Sequence, residues 1–175
     1  MFTFGDPSLA TDRAGNVYYT SITFTPTFHV GLQINKSTDH GDTWSPALKV
    51  SGPATPTTVM PWVAARGGKV DVVYYGSAAA SVDDRSAVWN TYDSQLKGGT
   101  WSVKLVSNTP NRFGPVCLNG SACAANRELL DLFEVAEDPA NGKAAVIYSD
   151  TTTATWTGSD GMVHQLPEIV LAYEK

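Results

Sequence analysis

The chain has 175 residues, 42% of them hydrophobic, with five Trp, seven Tyr and six Phe, enough to bury the core of one domain. Lys and Arg number 12 against 17 Asp and Glu, a formal charge of −5 without any basic run, which argues against nucleic acid and anionic membrane as partners. No apolar run approaches the ~20 residues of a membrane span, and the first six residues carry neither a basic region nor a long apolar stretch, so either the protein is not exported or this is a mature or trimmed chain, the second reading being favoured.

In chain order, residues 7–12, a turn around Gly15 and residues 17–24 read as a first hairpin, continued by strands over 30–36 and 47–51. Between the last two lies Ser37-Thr-Asp-His-Gly-Asp-Thr-Trp44. Asp39 can fold its carboxylate onto backbone N–H groups further along, while Gly41 takes the positive φ that other residues resist. The hydroxyls of Ser37 and Thr43 can close further local bonds, and Trp44 is expected to bury its face beneath the turn. Asp39 is thus expected to be a structural turn residue rather than a catalytic one.

A second unit repeats the pattern, with strands over 61–65, 70–75, 86–92 and 100–106. Its last turn, at Gly98-Gly99, echoes the octet through Asp93, Thr100 and Trp101 at a stretched spacing. A third unit has strands over 132–137, 144–149 and 168–174 only. Each unit opens with a short strand, a Gly-bearing turn and a more apolar strand ending in Tyr or Phe; 54 residues separate Ala10 from Ala64, and 72 separate Ala64 from Ala136. Eleven strands with no helix, built on a recurrent unit with loops of unequal length, predict an all-β protein of four-stranded propeller blades. Trp62, Trp89, Trp101 and Tyr75 are expected in the core.

Cys117 and Cys123 are the only cysteines and flank a Gly/Ser/Asn loop, which favours a disulfide over free thiols; a metal site would want further Cys or His nearby. A disulfide implies an oxidising compartment.

The octet fills all five fixed positions (Ser37, Asp39, Gly41, Thr43 and Trp44) of the pattern S-x-D-x-G-x-T-W and so resembles the Asp box of the bacterial neuraminidase repeat. Residues 117–150, with Pro115 just before them, are similar to part of secreted sialidase-like proteins through the cysteine pair, Asn126-Arg127, Leu129-Leu130-Asp131, Phe133, Val135-Ala136, Asp138 and Tyr148-Ser-Asp150. The resemblance implies about three blades of four antiparallel strands, half of a six-bladed sialidase-like propeller. Blade 1 would cover about 6–51, blade 2 about 61–107, a loop 108–130 and blade 3 about 131–175. Residues 2–4 of a partner copy could complete the third blade, so the expected partner is either a second copy or the remainder of a longer propeller chain.

The family also implies secretion and a glycan or sialoside substrate, hydrolysed by exo-sialidase-type chemistry, with a non-catalytic carbohydrate- or protein-binding module as the alternative. The loops that enter the inner strands, and those joining the second strand to the third, share one face, with Asp6, His29, Asp83, Asp84, Arg85, Arg112, Arg127, Glu128, Asp131, Asp150, Asp160 and His164 on it. Arg112, Arg127 and, less directly, Arg85 would grip a substrate carboxylate. Asp131 or Asp150 would act as the acid, and Trp156 would stack on a sugar. The plainer roles are backbone capping for Asp131 and loop ordering for Arg127. No cofactor is expected; Asp83-Asp84 could at most offer calcium oxygen ligands.

Overall fold

The computed structural model describes residues 2–3, 5–24, 30–129 and 133–175, with backbone alone for residues 2–3. Asp131 and His29 lie outside the described residues. The described chain contains thirteen strands and, apart from one 3-10 turn at Gly120–Ala122, no helix. They form three antiparallel sheets, which are the expected blades.

Blade 1 contains β1 (Phe2–Thr3), β2 (Ser8–Thr11), β3 (Val17–Phe24), β4 (Val30–Ser37) and β5 (Leu48–Lys49). β1 and β2 lie in line along the inner edge of β3, pairing Phe2 with Phe24 and Ser8 with Thr20. The amino-terminal strand considered for a partner's third blade is therefore paired within its own chain, as the upper half of an interrupted inner strand. Blade 2 contains β6 (Thr57–Arg66), β7 (Lys69–Ser77), β8 (Val88–Lys97), β9 (Thr100–Leu105) and β10 (Arg112–Phe113). β9 and β10 share the outer edge of β8 in the same broken fashion, so the segment expected as a loop over 108–130 contributes a strand. Blade 3 has β11 (Glu134–Glu137), β12 (Ala144–Thr157) and β13 (Val163–Tyr173).

Burial explains the sequence patterns. β7 sits in the middle blade and is covered on both faces, so Val70 through Tyr75 are all buried, and its sequence runs apolar rather than alternating. In blade 3, Ile147, Ile169, Leu171 and Tyr173 stand exposed on the face away from blade 2. Hydrogen bonds cross between neighbouring blades within their apolar contacts. Val63 N donates to Ser8 Oγ (3.1 Å) and Ser94 Oγ to Val50 O (2.6 Å), while Ser149 N donates to Tyr75 Oη (2.8 Å).

The octet closes the β4–β5 turn largely as its residues predict. Ser37 Oγ donates to Asp39 Oδ1 (2.7 Å), Gly41 N to Ser37 Oγ (2.8 Å), and Thr43 N and Oγ1 to the two Asp39 oxygens (2.9 and 2.5 Å). Trp44 lies against the turn, its ring within reach of Gly41, but is less buried than expected: it is 42% exposed and meets Tyr19 edge-on at 6.1 Å. The β8–β9 turn is also not a stretched copy of the octet. It is a two-residue hairpin closed by Lys97 and Thr100, with Gly98 and Gly99 both at positive φ (59° and 82°), and Asp93 lies buried in mid-strand opposite Lys104. Residues 150–167, expected as a loop, extend the β12–β13 hairpin, with Thr155 paired to Gln165 and Trp156 to His164.

Candidate active-site cleft

The inner strands of blades 1 and 2 break at the same height. In blade 1 the interruption falls at Gly5-Asp6-Pro7, with Asp6 at φ 44°; in blade 2 the register shifts between Val59 and Trp62, with Met60 at φ 54° just before Pro61. Asp6 and Met60 are 54 residues apart, the same offset as Ala10 and Ala64, so the two kinks occupy equivalent positions in successive blades. Positive φ is rare for a residue with a side chain, and a following proline further narrows what its backbone can adopt. Such conformations cost on the order of 1–3 kcal/mol each and cluster where a site must be shaped.

The kinks open a cleft whose walls are Asp6, Pro7, Met60, Pro61, Trp62 and Phe133. Phe133 belongs to blade 3 and packs at 4.5 Å on the buried ring of Tyr75, so all three blades converge here. The chemistry is a half-buried carboxylate beside aromatic and apolar walls. The space these walls enclose is small, about 70 Å³, below the roughly 300 Å³ at which ligand pockets begin.

Asp6 is one of the polar residues singled out from the sequence; Arg112, Arg127, Asp150 and Trp156 do not line this cleft. Arg112 is buried and committed to its own loop: Nε donates to Pro115 O (3.0 Å), Nη2 to Asn126 Oδ1 (3.1 Å) and Nη1 to Glu128 Oε2 (2.5 Å). Arg127 donates to Gly120 O (2.5 Å) across the loop closed by the Cys117–Cys123 disulfide, and lines a shallow depression with Asn126, Glu128 and Pro167. Arg85 is exposed. Asp150 is buried at the bulge in β12, where Oδ1 accepts from Thr152 N and Oγ1, both at 2.8 Å. Trp156 is 49% exposed on the β12–β13 hairpin and stacks on His164 at 5.1 Å. Asp160 accepts from the backbone of Met162 and approaches His164 Nε2, two contacts that hold its carboxyl below the usual range.

Two tyrosines near this face are poor nucleophiles as they stand. Burial pushes the phenol of Tyr75 up despite the hydrogen bond it accepts from Ser149, and burial with the neighbouring charge of Asp150 does the same to Tyr148. Among the described residues no group of three or more His, Cys, Asp or Glu is arranged to hold a metal.

No family model matches the sequence, and no curated protein matches it. Solved structures do match in fold. A levansucrase mutant from B. megaterium superposes with a TM-score of 0.54 at 13% identity, over 91% of this chain and 44% of the enzyme. A GH43_1 enzyme from Xanthomonas citri gives 0.54 at 12% identity, over 97% of this chain and 51% of its own. The Trypanosoma rangeli sialidase with bound sialic acid gives 0.51 at 12%, over 99% of this chain and 28% of the enzyme. At these identities the likeness is one of fold, the propeller, and the chain spans about half or less of each of these structures.

Proposed function

We propose that the cleft between the kinked inner strands binds carbohydrate and that the chain forms the ligand-bearing part of a glycoside-hydrolase-like propeller. The observation that carries this reading is the pairing of two equivalent positive-φ kinks with a carboxylate, Asp6, and an aromatic wall, Trp62 and Phe133, at the point where the blades converge. The shared fold with a levansucrase, a GH43_1 enzyme and a sialidase supports it. Hydrolysis of a glycosidic bond uses two carboxyl groups. Asp6 supplies one, and Asp131, two residues before the cleft residue Phe133, is the proposed second, as the acid.

Exo-sialidase chemistry is the finer form of this proposal and rests on the octet and the sequence likeness around the cysteine pair. It requires a cationic grip on the substrate carboxylate, for which Arg85 is exposed and Arg127 is half-buried with one N–H given to Gly120 O, Arg112 being spent on Pro115, Asn126 and Glu128. That commitment, with the raised phenols of Tyr75 and Tyr148, favours a binding module as the second reading. The exposed apolar face of blade 3 fits further blades, supplied by a second copy or by more of a longer chain, and the disulfide fits a secreted protein.

Calorimetric titration with a panel of neutral oligosaccharides and a sialoside tests the binding. At least one sugar is expected to saturate the wild type, and Asp6→Asn and Trp62→Ala to weaken it about tenfold or more without lowering the melting temperature below the assay. Absence of any saturable sugar, or equal affinity in both variants, removes the cleft from consideration. Release of the aglycone from chromogenic glycosides then separates an enzyme from a binding module.

A further inference from the structure

The seam between blades 2 and 3, at the opposite end of the strands from the cleft, is built from charge. It brings together Asp71 on β7, Asp93 on β8, Glu137 on β11 and Glu174 after β13, with Lys69 and Lys104 as the lysines among them. Glu174 is well satisfied. Lys69 Nζ lies 2.7 Å from its Oε2, Gln95 Nε2 and Lys104 Nζ lie 3.0 and 3.3 Å from Oε1, and Ala144 N donates at 3.1 Å. Asp71 accepts from Gln95 Nε2 at 2.8 Å and faces Lys69 Nζ at 3.0 Å. Lys69 also reaches Gly142 O (3.0 Å), and Arg66 reaches Pro139 O (2.7 Å), so cations of blade 2 clasp the β11–β12 turn of blade 3.

Among the described residues Asp71 Oδ2 has the Lys69 ion pair but no hydrogen bond, and the two remaining carboxyls also bury oxygens that lack a donor. Asp93 is only 4% exposed, and its Oδ1 has no hydrogen-bond donor among the described residues, although Lys104 stands opposite it. Neither Glu137 oxygen has a donor, and its carboxyl lies against that of Asp71. Two ionised carboxylates offer acceptors and no hydrogen, so that contact is a hydrogen bond only when one of them holds a proton. Solvent reaches Asp93 along a groove walled by Lys104, Asn108, Val146, Tyr173 and Lys175, giving protons a route in and out.

We propose that this seam is a proton-operated latch, closed while Glu137 shares a proton with Asp71 and Asp93 holds a second, and loosened when both protons leave. The groups facing Asp93 are Asp71 and Lys69 on β7, Lys104 on β9 and Glu174; those facing Glu137 are Asp71, Lys69 and Arg66. Burial first, and the Asp71 charge second, push Asp93 up to about 8; burial first, then the hydrogen bond to Asp71, push Glu137 up to about 8. The folded chain therefore binds more protons than the unfolded chain between about pH 4 and pH 8, and stability falls as pH climbs through that window. Glu174 and Asp39, both held below the usual carboxylate range, act at the acid edge of this window and below it, and add little slope above about pH 5.

The test is the melting temperature of the intact chain at pH 5, 7 and 9, beside the double variant Asp93→Asn/Glu137→Gln. The wild type is expected to lose about 5 °C or more between pH 5 and pH 9, and the double variant at least half of that slope. A wild-type profile that is flat or rises with pH, or an equal slope in the variant, overturns the latch. Hydrogen exchange on the wild type alone supplies an independent reading. After correction for intrinsic rates, residues 165–175 should lose protection at pH 9 while the β3–β4 hairpin keeps its own; unchanged protection in both also overturns the proposal.

Discussion

The octet turn and the Met60 kink both hold a non-glycine residue in the left-handed region, His40 at φ 62° and Met60 at φ 54°, by opposite means. In the turn, Ser37 and Asp39 gather neighbouring N–H and O–H groups, and those bonds (Thr43 first, Ser37 second) pull the Asp39 carboxyl down to about 2. Its geometry is local and would form in almost any hairpin. Met60 is buried and sits between Val59 and Pro61 at the register shift, in a cleft wall shared with blades 1 and 3. Strain held by packing between blades is coupled to whatever fills the cleft; strain held by a turn's own side chains is not.

Breaking one region should therefore leave the other intact. The largest expected effect is on binding: Trp62→Ala removes the half-buried aromatic wall, and sugar affinity should fall at least tenfold and as much as about 30-fold for an anchor residue, with the Thr43 amide and hydroxyl still bonded to Asp39 by NMR. Conversely, Asp39→Ala should lower the melting temperature and leave sugar affinity within about twofold. The acid limb sharpens this. Because the folded carboxyl of Asp39 is lowered to about 2 from an ordinary value of 3.8, its contribution is complete above pH 3.8 and is lost as pH falls through 2. Melting curves at pH 2 and pH 4 should differ less for the variant than for the wild type.

Reduction of Cys117–Cys123 comes next. A loop of this length stabilises by about 2 kcal/mol in the chain-entropy account, and a melt with and without reductant should show a loss of about 4–8 °C, with exchange rising over residues 117–128. The smallest effect is expected at His40: Asn tolerates the left-handed region better, so His40→Asn should raise stability by at most about 0.5 kcal/mol, read as a small upward shift in the denaturant midpoint.

Most strands were legible because a hairpin announces itself twice, by alternation and by its turn residues; β3, β4, β7 and β9 fall within two residues of where the pattern put them. The upper β12–β13 hairpin was missed for a physical reason. Neither of its faces is fully covered, so Thr151-Thr-Thr-Ala-Thr155 shows no apolar alternation, and only its β-branched content hinted at a strand. Trp44 is less covered than its residue type implied because the turn beside it is closed mainly by hydrogen bonds. The cleft was half-visible. Asp6 stood among the polar candidates of that face, but Met60 carries no propensity for positive φ, and the signal available was the X-Pro pair repeated at the blade offset. Asp150 and Arg112 looked like site residues because a buried carboxylate or guanidinium that closes a bulge or a loop has the same sequence signature as one that meets a ligand.

The five tryptophans allow one decisive measurement, since each indole N–H gives its own NMR cross-peak. Titrating the intact chain with the best-binding oligosaccharide should shift the Trp62 indole saturably and leave those of Trp44 and Trp156 in place. A saturable shift at Trp156 or Trp44 with Trp62 unmoved would put the ligand on the hairpin or the turn face and contradict the cleft as the carbohydrate site.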